Sequence, residues 1–279
     1  MFRYVIPAAV LALAVLVVGF IIAAVQKARY NAGVEDSINN LRQLAFFAAH
    51  HDDPAAKPRF KVDVTKLPGA VPAATVVLEG VPPDERLSWL VAVLPSLDQR
   101  RNPVEALLAQ VQTDKPWPAP ANQAAAQTML PVVLCPGFAP AAGPAPTCYV
   151  GVAGVGTAAA ALPLAVGVPT PPRAGAFRYD APTPFERISD GLSQTLLVGE
   201  TANEPGPWLR GGPSTVRGFD DAPGALPQTG PGGQFGGFFP NATNFALCDG
   251  SVRTFTPRTS PDVLLQMATI AGGGVSVTE

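Results

Sequence analysis

Residues 4–25 run as YVIPAAVLALAVLVVGFIIAAV without a charged side chain. At about 1.5 Å of rise per residue, a helix of that length crosses a hydrocarbon core about 30 Å thick. The period then changes. Tyr30, Val34, Ile38, Leu41, Ala45 and Ala48 recur every three or four positions, one stripe of an amphipathic helix reaching about His51, where Asp52-Asp53-Pro54 supplies a stop. This pattern predicts a transmembrane anchor that continues as a helical stem, with Gly33 costing the stem about 1 kcal/mol relative to Ala. A cleaved signal peptide is the rival reading. Its apolar region usually spans only about 7 to 15 residues, and Ala23 and Ala24 make a poor cleavage site.

Beyond the stem the apolar runs shorten. Alternation at 60–64 and a β-rich run at 75–78 predict strands around a Leu67-Pro68-Gly69 turn. Residues 84–94 place Leu87, Leu90, Val91 and Leu94 on one helical face ended by Pro95, and a further short helix follows Asn102 and Pro103 with Leu107, Leu108 and Val111 inside. Residues 116–120 read as a linker, 136–146 as a second Pro/Ala/Gly stretch and 158–172 as a third, less polar one. Strands are expected at 132–134, 149–152 and 195–198. Near the end, 244–248 and 251–255 flank Asp249-Gly250, the pair preferred by a two-residue type I′ hairpin. That turn would set Leu247 opposite Val252 and Phe245 opposite Thr254, with Phe245, Leu247 and Val252 on one buried face. Ser260 and Pro261 open a last helix carrying Val263, Leu264, Met267 and Ala268, stopped by Gly272-Gly273-Gly274. No repeat of 20–50 residues is visible, against a solenoid or propeller. The expected fold class is α+β: a transmembrane anchor (1–25), a helical stem (26–53) and an exported, loop-rich antiparallel-sheet head (54–279).

Composition narrows the function. The 279 residues are 47% hydrophobic and 14% charged with net charge −2, about half the usual charged share. No basic face for nucleic acid is expected. The 32 prolines and 27 glycines imply many loops. Two histidines, adjacent at His50 and His51, point about 100° apart on a helix and leave the head without imidazole for acid–base or zinc chemistry. Asp190-Gly191 and Asp249-Gly250 are expected to be turns. With Glu200 they are also the only fragments resembling a cation site, but the dense spacing of a calcium loop is missing. Glu200 ends an apolar run and is expected to be buried, accepting backbone or Arg hydrogen bonds. Ser193 and Ser251 lack a nucleophile elbow, and the Gly-rich 230–237 lacks a phosphate-loop lysine. Cys135 and Cys148 lie 13 positions apart, a spacing that suits a disulfide in an oxidising compartment, with Cys248 left over. No enzyme, cofactor or metal is expected.

Several stretches together resemble a family of planctomycete-type, pilin-like exported proteins classed as a domain of unknown function. They are Asn39-Asn40-Leu41-Arg42-Gln43-Leu44 with His50 and Asp52; Trp89 with Leu94-Pro95-Ser96-Leu97-Asp98-Gln99; Leu134-Cys135-Pro136; Tyr149-Val150-Gly151; FERISDGLSQTLLVGE at 185–200; and NFALCDGSVR at 244–253. Two departures stand out. MFRYVIPAAV lacks the family's prepilin-type cleavage site, and the His expected ten positions before Asp249 is Phe239. The resemblance implies a pilin- or pseudopilin-like subunit of the cell envelope, single-pass in the inner (cytoplasmic) membrane, with its head in the periplasm or outside the cell. Its partners would be the lipid bilayer and pilin-like or secretion-system subunits. The competing expectation is an exported module binding a sugar, peptide or cation, with Trp89, Trp117 and Trp208 as candidate stacking platforms; Trp89, in an amphipathic helix, reads more simply as a core residue, while Trp117 and Trp208 stand among prolines.

Overall fold

The computed structural model describes residues 5–49, 69–94, 106, 107, 109–165 and 167–272, with the backbone alone for 5–12, 47 and 49. The strand expected at 60–64, the histidine pair, the stop at 52–54, Pro95 and most of the helix after Asn102 lie outside them.

Helix α1, Val5–Ala49, runs unbroken for 45 residues, about 68 Å at the standard rise. Its two halves differ in environment. From Leu13 to Val25 the side chains are bare, Leu16 being 70% and Phe20 77% exposed. Further on, Ser37, Leu41, Leu44, Ala45 and Ala48 are fully buried, spaced so as to share one face, and this face lies across the sheet. The buried stripe therefore includes Ser37 and Leu44, while Tyr30, Val34 and Ile38 are only half-buried. Gly33 has a packing reason. A Cβ there would come within 3.2 Å of the Phe239 ring, and Tyr30 meets the same ring edge-on at 5.8 Å.

The head is built on a five-stranded sheet in the order β5-β2-β4-β6-β7. Its strands are β2 (Tyr149–Val155), β4 (Leu196–Glu200), β5 (Val216–Phe219), β6 (Thr243–Leu247) and β7 (Val252–Phe255), while β1 (Ala70–Val71) and β3 (Thr183–Pro184) form a separate pair. The sheet is mixed rather than wholly antiparallel, because β5 runs parallel to β2. The cause is the connection: β4 runs opposite to β2, and residues 201–215 carry the chain back past β2, so that the returning strand runs parallel to β2.

Each sheet face has its own core. On one face Tyr149, Ala153, Val198 and Ala246 meet α1 residues Leu41, Leu44 and Ala45 and the short helix α2 (Leu90–Val93). On the other, Phe219, Phe235, Phe245 and Phe255 stack together and are closed by Leu264 and Met267 of the last helix, Pro261–Met267. Covered on both faces, β2, β4 and β6 are buried along their whole length, which explains their near-continuous apolar sequence.

Elsewhere local chemistry overrode the apolar pattern. Residues 75–78 supply only a bridge from Thr75 to Ser88. Pro131 opens a 3-10 turn, Pro131–Val133, where a strand is expected; proline has no N–H for a ladder. Of the helix expected over 84–94 only α2 forms. Residues 116–120 are no linker: Trp117 donates its backbone N–H to Glu85 O and Nε1 to Asp84 O. A four-residue helix, Gln123–Ala126, follows.

The C-terminal hairpin forms in a register one position from the expected one. Ala246 pairs with Val252 and Phe245 with Arg253, so Phe245 and Leu247 face the phenylalanine core while Val252 packs on the opposite one. The turn is not type I′, which needs positive φ at both central residues. Leu247 and Ser251 bracket a loop of Cys248, Asp249 and Gly250, and only Gly250 has positive φ, at +84°. That is the three-residue hairpin ending in a left-handed glycine. Nothing lies within 4 Å of a Cβ at Gly250, so Gly250→Val strains the backbone without a clash and should cost about 1–3 kcal/mol. Asp249→Asn should be mild, because its Oδ1 can still accept from the Ser251 N–H (2.9 Å) and hydroxyl (2.7 Å). Thermal melts of both variants check this; equal losses would contradict the turn assignment.

Candidate functional site

The chemistry-bearing cluster of the head lies where α1 crosses β4 and β6. Glu200, the last residue of β4, is 0% exposed. Its Oε1 accepts the Asn244 backbone N–H at 2.8 Å and its Oε2 the Asn244 side-chain amide at 3.2 Å. Ser37 of α1 donates its hydroxyl to the same Oε2. The Tyr149 hydroxyl of β2 donates to Ser37 Oγ at 3.1 Å, and the Asn40 amide reaches Tyr149 Oη at 3.4 Å and the Leu134 carbonyl at 3.2 Å. Thr254 of β7 orients Asn244 by donating to its Oδ1 at 2.7 Å. Cys135 Sγ lies 3.9 Å from both Ser37 Oγ and Glu200 Oε2.

Burial pushes the Glu200 carboxyl above its usual range, while the hydrogen bonds from Ser37 and Asn244 pull the other way. Of the backbone or Arg donors expected for it, the Asn244 N–H is a backbone donor, and among the described residues no arginine bonds it. Tyr149 is likewise held well above the ordinary phenol value by burial. This network ties one helix to four strands, β2, β4, β6 and β7: Ser37 and Asn40 are the polar interruptions, three apart, on a face otherwise made of Leu and Ala. Ser37, Asn40, Tyr149, Asn244 and Thr254 are members to which the sequence reading gave no site role. The signal was a serine at a position that the helical period assigns to the buried stripe.

The other candidate residues are distributed differently. Asp190 and Asp249 lie at the opposite end of β4 from Glu200. Asp190 accepts the Gly272 N–H at 2.9 Å and donates its own N–H to the Ile270 carbonyl; Gly191 has φ +97°, and the Asp249 N–H meets the Leu192 carbonyl. Both pairs are turns, and the three carboxylates do not converge. Among the described residues no group of three His, Cys, Asp or Glu could hold a metal.

Cys135, Cys148 and Cys248 are buried free thiols. Burial, aided by Glu200, pushes the Cys135 thiol up; burial pushes Cys148 up to about 12, and Cys248 higher still with help from Asp249. None is poised as a thiolate.

Trp89 and Trp208 are core residues, 1% and 0% exposed, with Nε1 donated to the Thr215 and Thr128 carbonyls respectively. Neither offers a stacking face. Trp117 is half-buried with the Arg210 guanidinium 5.8 Å over its ring. Arg210 also lines an open cleft of about 530 Å3 with Asp84, Tyr179, Glu204 and Arg217. The cleft is charge-balanced and its cations are engaged. Arg210 bonds Asp84, and Arg217 donates to the Pro213, Asn203 and Glu204 carbonyls, holding Glu204 at φ +48°, the one positive φ among the described non-glycine residues.

Fold and cluster together define a class: a mixed-sheet head fastened through a buried carboxylate to the C-terminal half of a helix that is long and apolar enough to cross a membrane and is bare from Leu13 to Val25. A family model described as "Protein of unknown function (DUF1559)" matches residues 26–224, well over half of the chain, and the chain belongs to that family. The matched range takes in the stem beyond the apolar run and strands β1–β5, and ends before the closing hairpin. No curated protein and no solved structure matches the chain.

Proposed function

We propose that the protein is a membrane-anchored, pilin- or pseudopilin-like structural or interaction subunit of the cell envelope, without enzymatic activity, whose helical stem holds its head on the outer side of the cytoplasmic membrane. The observation that carries this reading is the contrast along α1. Leu13, Leu16, Phe20, Ile21 and Ile22 are each more than half exposed, and apolar surface left in water costs about 25 cal/mol per Å2. Lipid, or like helices within lipid, removes that cost. The other half of the same helix is fixed to the head by the Glu200 network, so anchor and head move as one piece. The buried carboxylate and the buried thiols have no opening to a substrate, which favours a structural role for them.

The full chain is expected to float with membranes, to resist extraction at alkaline pH and to keep residues 4–25 on N-terminal sequencing. A mature chain starting at or beyond Ala24, or one released by carbonate, would overturn the anchor.

A further inference from the structure

Descending α1 from the carboxylate toward the apolar run, each turn meets a loop of the head. Asn40 meets the Leu134 carbonyl and Ser37 meets Cys135. At the next turn, a Cβ on Gly33 would touch Phe239 and Pro136, and Tyr30 packs edge-on against Phe239. Next to Phe239, Phe238 makes an edge-to-face contact with Phe138 at 6.0 Å and 89°. Phe138 follows Pro136 by two residues and Phe238 precedes Phe239 by one; both pack on the core yet stay partly exposed, leaving some aromatic surface open beside the loops that meet α1 at Gly33 and Tyr30.

The helix fixes how far this surface lies from a bilayer. Tyr30 is five residues beyond Val25, about 7.5 Å of rise. The headgroup layer on each side of a 30 Å core is about 5–7 Å thick. Tyr favours that layer because its ring is apolar and its hydroxyl is polar, and Phe contributes an apolar ring to the headgroup–acyl boundary. Lys27 and Arg29, both exposed, lie in the interval, where each basic side chain near an anionic surface is attracted to it.

We propose that Phe138 and Phe238, with Tyr30 beside them, form an interfacial rim that seats the head on the headgroup layer of the membrane entered by α1, with Lys27 and Arg29 against anionic headgroups. This rests on the anchor reading above. The occupant is the lipid surface itself, argued from the continuity of the rim with the apolar span and from the short length of helix between them.

The test uses the full chain reconstituted into phosphatidylcholine/phosphatidylglycerol vesicles containing a lipid brominated high on its acyl chain, which quenches nearby tryptophan. Phe138→Trp and Phe238→Trp place a reporter on the rim; Val77→Trp places one on an exposed part of the head. The wild-type tryptophans give the background, and flotation of each sample reports the anchor separately. The expected result is about twofold stronger quenching for both rim reporters than for Val77→Trp, weakened by Lys27→Gln with Arg29→Gln. Vesicle-bound protein whose rim reporters are quenched no more than Val77→Trp would overturn the rim while leaving the anchor intact. A blue-shifted but unquenched rim signal would also overturn it, in favour of a second protein copy covering the rim. Failure to float would remove the anchor and the rim together.

Discussion

Glu200→Ala should destabilise the head by about 2–4 kcal/mol, because it strands buried donors rather than merely losing a contact. Without the carboxylate, the Asn244 N–H, the Asn244 amide and the Ser37 hydroxyl face a dry gap between α1 and the sheet, and each unpaired buried donor costs about 1–3 kcal/mol. Relief from burying an acid returns part of that. Denaturant melts of the full chain in detergent, followed by the fluorescence of buried Trp89 and Trp208, measure the loss. A change below about 0.5 kcal/mol would mean that Glu200 does not hold the stem.

The same side chain makes stability depend on pH in a defined direction. Burial raises the folded carboxyl's pKa, so between the unfolded value of about 4.3 and the folded one the native state binds more protons than the unfolded state. Stability from this group is therefore greatest below about 4.3 and declines as pH rises through the folded pKa. Asp221, held low by its hydrogen bond to Arg173, has the opposite sign, but its contribution is lost as pH falls below the unfolded Asp value of about 3.9, beneath that window. Glu200→Gln should flatten the decline. A wild-type stability that rises between pH 5 and 7 with Glu200 as its source would overturn the raised pKa.

What the sequence disclosed follows from the range of each interaction. The 22-residue apolar run, the stem period and the last helix are local patterns, and all three recur in the fold. The hairpin was legible as a hairpin, but its register turned on whether Cys248 belongs to strand or loop, and an apolar Cys248 beside Leu247 hides that choice. The Glu200 cluster was out of reach because its central bond joins residues 163 positions apart; only a serine in the buried stripe hinted at it. Proline misled most often. Pro131 converts an apolar Val-Val-Leu run into a 3-10 turn, and the proline-flanked Trp117 looks like part of a linker until its two hydrogen bonds to Asp84 and Glu85 show it packed on the head.

The largest single-site effect is expected at Gly154, and comparison with Gly250 shows why. Both have positive φ, +110° and +84°, so any L-residue is strained at either place. They differ in surroundings. Gly250 opens to empty space, whereas a Cβ at Gly154 would strike the Arg173 carbonyl and come within 2.6 Å of the Gly175 nitrogen. Those atoms cannot yield as a flexible side chain could, because the segment is fixed to β2. Val155 N–H bonds the Arg173 carbonyl at 3.0 Å, Gly175 N–H bonds Ala153 O at 2.8 Å and Phe177 N–H bonds Val152 O at 3.2 Å. The register of β2 against β5 shifts between Val152 and Val155, so this glycine sits where the strand bends. Gly154→Val adds overlap to strain and should exceed about 4 kcal/mol, a large part of a domain's usual 5–15 kcal/mol. The expected outcome is a head that is aggregated or cleaved by protease under conditions where Gly250→Val stays folded. Equal protease resistance and equal melting midpoints for the two variants would show that the 173–177 segment does not lie against β2 in this way.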